Sequence, residues 1–547
     1  MLHLFTSSLL TLILYSLFGY LISQNFKSNS ISYSKIVING AIVISLISLF
    51  TNFFSPLTRE INSLLFLIVI VFFFKFNSLK SKKYVIFLIL TSVLTYVLIF
   101  ASHTYRPDAG LYHLPYVNIL NEEKIIFGLA NLHFRFGHTS IIQYLSAINY
   151  NLFTGVIGIT IPSAIIASTV IMDFLNKLKN HVLKKDYNFH FFYLLGIFIY
   201  ICFKMNRYAE YGNDAPAHFL TFYFFSEFLK LKSKEINLNE IINLSLIGLF
   251  IVLNKITLIL ILIIPLVYIF KTKFINVFKK LNFYLIIFFS ILWITKNIII
   301  SGCLIYPIKS TCINSLNWTD IKTVEKISIE NEAFTKNWPN YKKKHLISQN
   351  EYVKNFIWFE NWTNKLLDEQ REKSFAYALI LIFIFIYLYR NSNKNKNISS
   401  KKGLFLFTLT ITVVFWFVKI PEYRYAYSVI ISLITFPFAA ILSNRNFYKN
   451  PNKFFTSIIV LFISIFLIKN LIRIYNTDIY YDYPNPRIYS HNDDNQILDY
   501  NYELINNKKI YNQKGGYCMY VKTLCTPYEI NINIDKKNGY LFFFKKT

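Results

Sequence analysis

The sequence predicts an all-α polytopic membrane protein: about fourteen transmembrane helices, interfacial helices on the outer surface and a small extracytoplasmic C-terminal tail domain. Three observations carry this. Hydrophobic residues make up 54% of the 547 and charged residues only 16%, against about 25% charged in an ordinary soluble domain. Apolar runs of roughly the twenty residues needed to cross a bilayer begin at once and recur along the chain. The excess of 57 basic over 29 acidic residues, a net charge of +28, is gathered largely in short connections between those runs. This composition excludes a disordered chain, a nucleic-acid-binding chain and a disulfide-stapled secreted mini-domain.

The runs divide into three groups. An N-terminal four-helix membrane segment, 1–101, holds the runs 2–22, 36–54, 61–76 and 84–101. The first run has no basic start and no small-residue cleavage site, so it reads as a retained span rather than a signal peptide. Central helices within 156–300 follow: 156–175, 189–203, 215–229, 241–253, 256–270 and 283–300. The pair around Asn254 and Lys255 is short enough for a tight hairpin. The C-terminal membrane helices, within 375–472, are 375–389, 404–418, 425–442 and 454–472.

Orientation follows from the positive-inside bias. Lysines crowd the connections after residues 76, 175, 229, 270 and 389, where Asp186 and Glu235 are almost the only acids. That side is expected to be cytoplasmic. The segments 102–155 and 301–374 and the tail 473–547 then fall outside, with short loops at 204–214 and 419–424. The stretch 138–153 is apolar, yet counting it as a span would turn the Lys177–Lys185 cluster outward. With Gln143, Asn149 and Asn151 it is expected to lie as an interfacial helix on the outer surface. Cys303 and Cys312 share one outer segment and Cys518 and Cys525 another, which suits two small disulfide loops. Zinc is the competing reading, but neither pair has Cys-x-x-Cys spacing or a nearby set of histidines. Cys202 stands alone in a span.

Chemistry-bearing residues collect on the outer side. Segment 102–155 places Arg106, Asp108, Tyr112, His113, Arg135 and two further histidines, His133 and His138, among aromatics directly after a span. A carboxylate in such a setting can have its affinity for protons tuned and act as a general base. Asp108 would equally serve as the N-cap of a helix starting at Ala109. Arg207 and Asp214 form a second group at another helix mouth, where capping is again the alternative, and the two acids can converge on one cavity. A third group, Pro421–Tyr425, puts Arg424 where a span re-enters, able to grip a phosphate with two prongs or merely to snorkel at the interface. Only ten residues are Arg against 47 Lys, and eight of the ten fall outside on this topology, which favours anion recognition there. Lys255 and Lys296, within or beside apolar runs, are costly at such depth and therefore functional candidates. Phosphate-loop, dinucleotide, zinc-protease and serine-hydrolase motifs are missing.

These segments resemble the C-type integral-membrane glycosyltransferases, the superfamily of the protein O-mannosyltransferases and the lipid A aminoarabinose transferase. Pro107-Asp108 with Tyr112 and His113 resembles the acid those enzymes carry in their first large outer loop. The segment 145–166 resembles the helix pair that follows, Gly248–Lys255 their short hairpin ending in Lys, and Pro421–Tyr425 their late Pro-x-x-Arg-Tyr segment. The likeness spans roughly 84–442 in order. The chain departs from the pattern in having a lone Asp rather than a pair of acids, and three spans before the usual first one. Ser301–Pro307 and Cys525–Tyr528 are also similar to an uncharacterised group of multi-pass bacterial proteins.

The resemblance implies an inverting transferase in a bacterial inner membrane, its site facing the periplasm. It would move a sugar from a polyprenyl-phosphate donor to a glycan, lipid or protein acceptor. Asp108, Asp214 and His113 are then the candidate catalytic groups; Arg106, Tyr112, Arg135, Arg207, Lys255 and Arg424 are the candidate substrate contacts. No cofactor and no nucleic-acid partner is implied, and a divalent metal stays open. A transporter or flippase for a lipid-linked or anionic solute competes, although the charged clusters sit mainly at one face with no evident matching set inside, whereas alternating access wants a midplane site. A polysaccharide polymerase or ligase would share the outer acid–arginine chemistry.

Overall fold

Apolar stretches with few internal breakers form helices, and the described parts of the fourteen runs are helical in the computed structural model, which describes residues 2–24, 32–73, 81–102, 108–206, 208, 212–231, 237–271, 275–370, 373–394, 401–447, 451–475, 500–513, 517–520 and 523–546. The N-terminal group is α1 (Leu2–Gln24), α2 (Tyr33–Phe54), α3 (Arg59–Phe73) and α4 (Lys82–Ala101). α1 and α2 pack along each other at backbone distance. A Cβ on Gly19 or Gly40 would stand 1.7 Å from the carbonyl oxygen of Ile36 or Tyr15, an approach only glycine permits.

A π-helical turn, Ala109–His113, leads into α5 (Leu114–Glu122), and α6 (Ile141–Ile148) follows. The central helices are α7 (Ile161–Lys184), α8 (Phe189–Phe203), α9 (Asp214–Lys230) and α10 (Leu238–Asn254). At Lys255 the chain turns extended, then winds through a tight 3₁₀ run, Ile256–Leu262, into α11 (Ile263–Lys271). α12 (Ile275–Phe278) and α13 (Leu281–Ser301) complete this half. α14 (Ile321–Thr335), α15 (Gln349–Lys354) and α16 (Trp358–Gln370) occupy the second long segment. α17 (Lys373–Arg390), α18 (Lys401–Lys419), α19 (Tyr427–Leu442) and α20 (Pro451–Tyr475) are the last apolar helices.

Strands are few among the described residues. β1 (Ser392–Lys394) pairs antiparallel with β2 (Arg445–Phe447). In the tail, β3 (Tyr500–Ile505) pairs antiparallel with β4 (Lys508–Gln513), which runs parallel to β5 (Cys525–Thr526). β6 (Ile532–Lys537) and β7 (Tyr540–Lys545) form a hairpin. Cys303–Cys312 and Cys518–Cys525 are disulfides, and Cys202 is buried and free.

Seven helices are long and apolar enough to cross a membrane by length and composition: α1, α2, α4, α7 with the turn before it, α13, α18 and α20. The other apolar helices are shorter. Burial sorts centre from rim, since 83% of the apolar window of α7 is buried and only 17% of that of α13.

One expectation needs correcting. The segment around α6 is no surface helix: all eight of its residues are buried, packed against α2, α5, α7 and α10. Its polar neighbours are satisfied internally, not by water. Asn149 donates to the Tyr15 hydroxyl at 3.1 Å and accepts from Thr11 at 3.1 Å, while Asn151 Oδ1 accepts from the amides of Phe153 and Thr154.

The long segments and the tail meet at one end of the helices. Phe127 donates to the carbonyl of Leu541 and accepts from the amide of Phe543, at 2.9 and 2.8 Å. Asn131 donates to the carbonyls of Trp318 and Phe543, both at 2.9 Å. Gly128 reaches the carbonyl of Ile299 at the end of α13, and Tyr540 that of Phe53 at the end of α2.

Candidate functional site

Asp108 stands just before the π-helical turn in helical backbone conformation, and its side chain makes no capping bond. The cap reading therefore fails. Its carboxylate instead accepts from Arg424 Nη1 at 2.7 Å through Oδ2 and from Arg135 Nη1 at 3.3 Å through Oδ1. The three side chains are largely buried, 22–29% exposed. Asp214, the first residue of α9, pairs with Lys255 Nζ. The cap position there is Asn213, which donates to the Asn254 carbonyl at 2.8 Å. That bond draws the mouth of α9 to the break between α10 and the 3₁₀ run, so Lys255 emerges beside Asp214.

Tyr425 joins the two ion pairs. Its ring lies 4.4 Å from Lys255 Nζ and 5.2 Å from the Arg424 guanidinium carbon, within cation–π range. Three cations and two carboxylates thus converge, leaving one positive charge. On the far side Arg135 lies over the Tyr112 ring at 5.1 Å and the Phe134 ring at 5.5 Å.

His113 is buried beside this cluster. Gln143 Nε2 donates to its Nδ1 at 3.2 Å, which leaves the proton on Nε2. Burial pushes its pKa down to about 4, against the pull of Asp108 and Asp214, so the ring is neutral near pH 7. A small crevice lies behind it, walled by Gln143, Ser146, Thr160, Ser163 and Gly212 among apolar residues. Burial works against the Asp108 charge, but Arg424 and then Arg135 outweigh it and hold the carboxyl below its ordinary range.

The site rests on tethers that the sequence did not signal. His218, one turn along α9 from Asp214, donates from Nε2 to the Arg424 carbonyl at 2.8 Å and accepts from Ser428 at 2.7 Å. Trp416 Nε1 donates to the Glu422 carbonyl at 2.8 Å and Trp362 Nε1 to the Pro421 carbonyl. Thr257 reaches the Tyr425 carbonyl at 3.3 Å. Segment 421–425 is therefore pinned by α9, α16, α18 and the 3₁₀ run.

Of the candidates read from sequence, Asp108, Tyr112, His113, Arg135, Asp214, Lys255 and Arg424 come together. Arg106 and Arg207 lie outside the described residues. Lys296 is buried elsewhere, its Nζ donating to Thr139 at 2.6 Å and seated 3.6 Å from the Trp293 ring centroid. Among the described residues no three His, Cys, Asp or Glu side chains are grouped to hold a metal ion.

A second buried charged set was not foreseen. Lys177 in α7 bridges Asp173 and Glu227, each at 2.6 Å, and donates to Ser226 at 2.8 Å. His190 contacts Ser226 at 3.1 Å and His181 at 3.2 Å. Glu227 lies thirteen positions after Asp214 along α9, about 20 Å at helical rise. The set thus lies at the other, lysine-rich end, and the expectation that charge clusters keep to one face is corrected.

The family described as Domain of unknown function (DUF8201) matches residues 1–431. The chain belongs to the DUF8201 family. The DUF8201 region takes in every residue of the Asp108 cluster and its tethers, while most of α19, α20 and the stranded tail lie beyond it. No curated protein and no solved structure matches the chain.

Proposed function

We propose that this DUF8201 protein is a polytopic membrane glycosyltransferase of the C type. It would cross the bilayer about fourteen times and transfer a sugar from a polyprenyl-phosphate donor to an acceptor hydroxyl on the outer face of a bacterial inner membrane. One observation carries this reading: Asp108 and Arg424, far apart in sequence, meet in a largely buried cluster with a surplus positive charge. Such a cluster suits a phosphate, and a lipid-linked donor reaches it sideways through the bilayer without any nucleotide site. Asp108 takes the proton from the acceptor O–H as that oxygen bonds to the anomeric carbon. The anomeric C–O bond to phosphate breaks, its electron pair leaves on the polyprenyl phosphate, and the configuration inverts. Arg424, Arg135 and Lys255 balance the charge on the leaving phosphate.

The test is transfer in liposomes holding the purified full chain and a radiolabelled polyprenyl-phosphate sugar. A labelled product with wild type, lost with Asp108→Asn, supports the reading. Wild type that consumes no lipid-linked sugar with any acceptor class defeats it. The second reading, a transporter or flippase, is favoured by the buried set around Lys177 at the opposite end, since polar sites inside a helical bundle often mark solute or proton paths. Movement of a lipid-linked sugar across the bilayer without transfer would select it.

A further inference from the structure

We propose that Asp108 occupies the place of a ligand phosphate: the phosphate of the bound donor displaces it from Arg135 and Arg424, and only this exchange frees Asp108 to act as a base. The inference rests on the lipid-phosphate reading above and adds an order to it, donor before acceptor.

The two arginines are held by other groups. Arg424 has its carbonyl tied to His218, its segment pinned by two indoles and its guanidinium against Tyr425. Arg135 lies between the Tyr112 and Phe134 rings, and its amide donates to His133 Nδ1 at 3.0 Å. Asp108 has no such support. It makes no bond to the turn it precedes, and its carboxylate contacts are the two guanidiniums. The carboxylate is therefore the part able to leave.

The guanidiniums are also under-used. Each gives Asp108 a single Nη1 contact, and the buried Nε of Arg135 has no hydrogen-bond partner. One carboxylate brings a single negative charge to two cations. The donor's phosphodiester brings one charge, as Asp108 does, but its two non-bridging oxygens are set tetrahedrally and can accept from N–H groups of both forks that Asp108 leaves unused. Once the arginines turn to phosphate, the groups that hold the Asp108 carboxyl low are spent and burial, which acts the other way, remains. Proton affinity then rises toward the range a general base needs. A site empty of donor thus keeps its base switched off.

Two phosphate probes distinguish the sources: polyprenyl phosphate in nanodiscs and inorganic phosphate, each titrated against the full chain. Removing the internal competitor by Asp108→Asn should tighten binding about tenfold or more, the scale of one charged hydrogen-bonded contact. Tightening for the lipid alone names a lipid headgroup as the ligand; tightening for both names free phosphate, and either supports exchange. Equal or weaker binding by Asp108→Asn overturns it. Infrared difference spectra of wild type guard against a variant that misfolds. Polyprenyl phosphate should shift a carboxylate band that Asp108→Asn lacks, and an unchanged spectrum at saturation also overturns the exchange. Tightened phosphate binding in a protein that transfers no sugar would keep the exchange and remove only the transferase reading.

Discussion

His218 Nε2 donates to the main-chain carbonyl of Arg424 at 2.8 Å, while its ring lies tilted against Tyr427 with centroids 3.7 Å apart. α9 therefore contributes twice to the site, Asp214 at its mouth and this tether one turn later. His218→Phe keeps an aromatic ring on Tyr427 but leaves the Arg424 carbonyl and the Ser428 hydroxyl without their partner. KM for a polyprenyl-phosphate sugar should rise about tenfold with kcat changed far less, because the defect lies in where Arg424 is held. Steady-state kinetics decide: a lowered melting temperature with unchanged KM would make His218 structural only.

Trp362 lies in α16, yet its indole N–H donates to Pro421, three residues before Arg424. Trp362→Phe removes that donor and preserves most of the ring packing against Trp358 and Phe417. Donor affinity should fall about fivefold, near the net worth of one hydrogen bond. Trp318→Phe, whose indole reaches the Ile298 carbonyl instead, should leave donor affinity alone. Isothermal titration of both variants separates a local tether from a general loss of aromatic packing.

Lys177 satisfies two buried carboxylates, Asp173 and Glu227. Lys177→Met strands both, and breaking a buried pair from one side costs about 3–5 kcal/mol. Lys309→Met, which removes an exposed partner of Glu325, should change stability little. Denaturation in detergent reads both, and comparable melting temperatures would show that the Lys177 set is open to water.

How far this was legible in the sequence depended on what each charge sat beside. Asp108, Arg424 and Lys255 stood out because ionised groups at the mouths of apolar runs are costly and few. The tethers did not. His218, Trp362 and Trp416 lie among aromatic residues where an imidazole or indole reads as core, and their partners are remote or are main-chain carbonyls that no side chain announces. Lys177 reads in sequence as a loop lysine marking the cytoplasmic side, although Asp173 four residues earlier puts an acid on the same helix face. α6 misleads for the opposite reason, since its flanking amides look hydrated in sequence but bond to Tyr15 and Thr11 of α1 and to main-chain amides a few residues along the chain.

Acid should loosen the loop before it strips the arginine pairs. Burial lowers the pKa of His113 and His138 to about 4 each and that of His133 to about 3, whereas an unfolded histidine titrates near 6.5. Groups with depressed folded pKa values stabilise fully above the unfolded value, so stability is lost as pH falls from about 6.5 toward 4. The slope is up to about 1.4 kcal/mol per pH unit for each histidine. Melting temperatures across this window should fall, and His113→Gln should flatten part of the slope. A flat profile in wild type would mean that these rings take up protons in the folded state.

Sidedness gives the last test, because contacts bind three segments that the positive-inside bias assigns only one at a time. Asn131 donates at once to Trp318 in the second long segment and to Phe543 in the tail, so all three must lie on one side of the membrane. Leu152, Leu346 and Glu503 are exposed on these three segments, and Leu183 is exposed at the opposite, lysine-rich end of α7. In a background without the native free thiol Cys202, single cysteines at the first three positions should react with a membrane-impermeant maleimide applied to intact spheroplasts. Leu183→Cys should react only after lysis. Labelling of all three only after lysis would invert the orientation and put the Asp108 cluster in the cytoplasm, where nucleotide sugars are at hand and a lipid-linked donor loses its rationale. Leu152 and Glu503 reacting from opposite sides would contradict the packing of the tail on Phe127 itself.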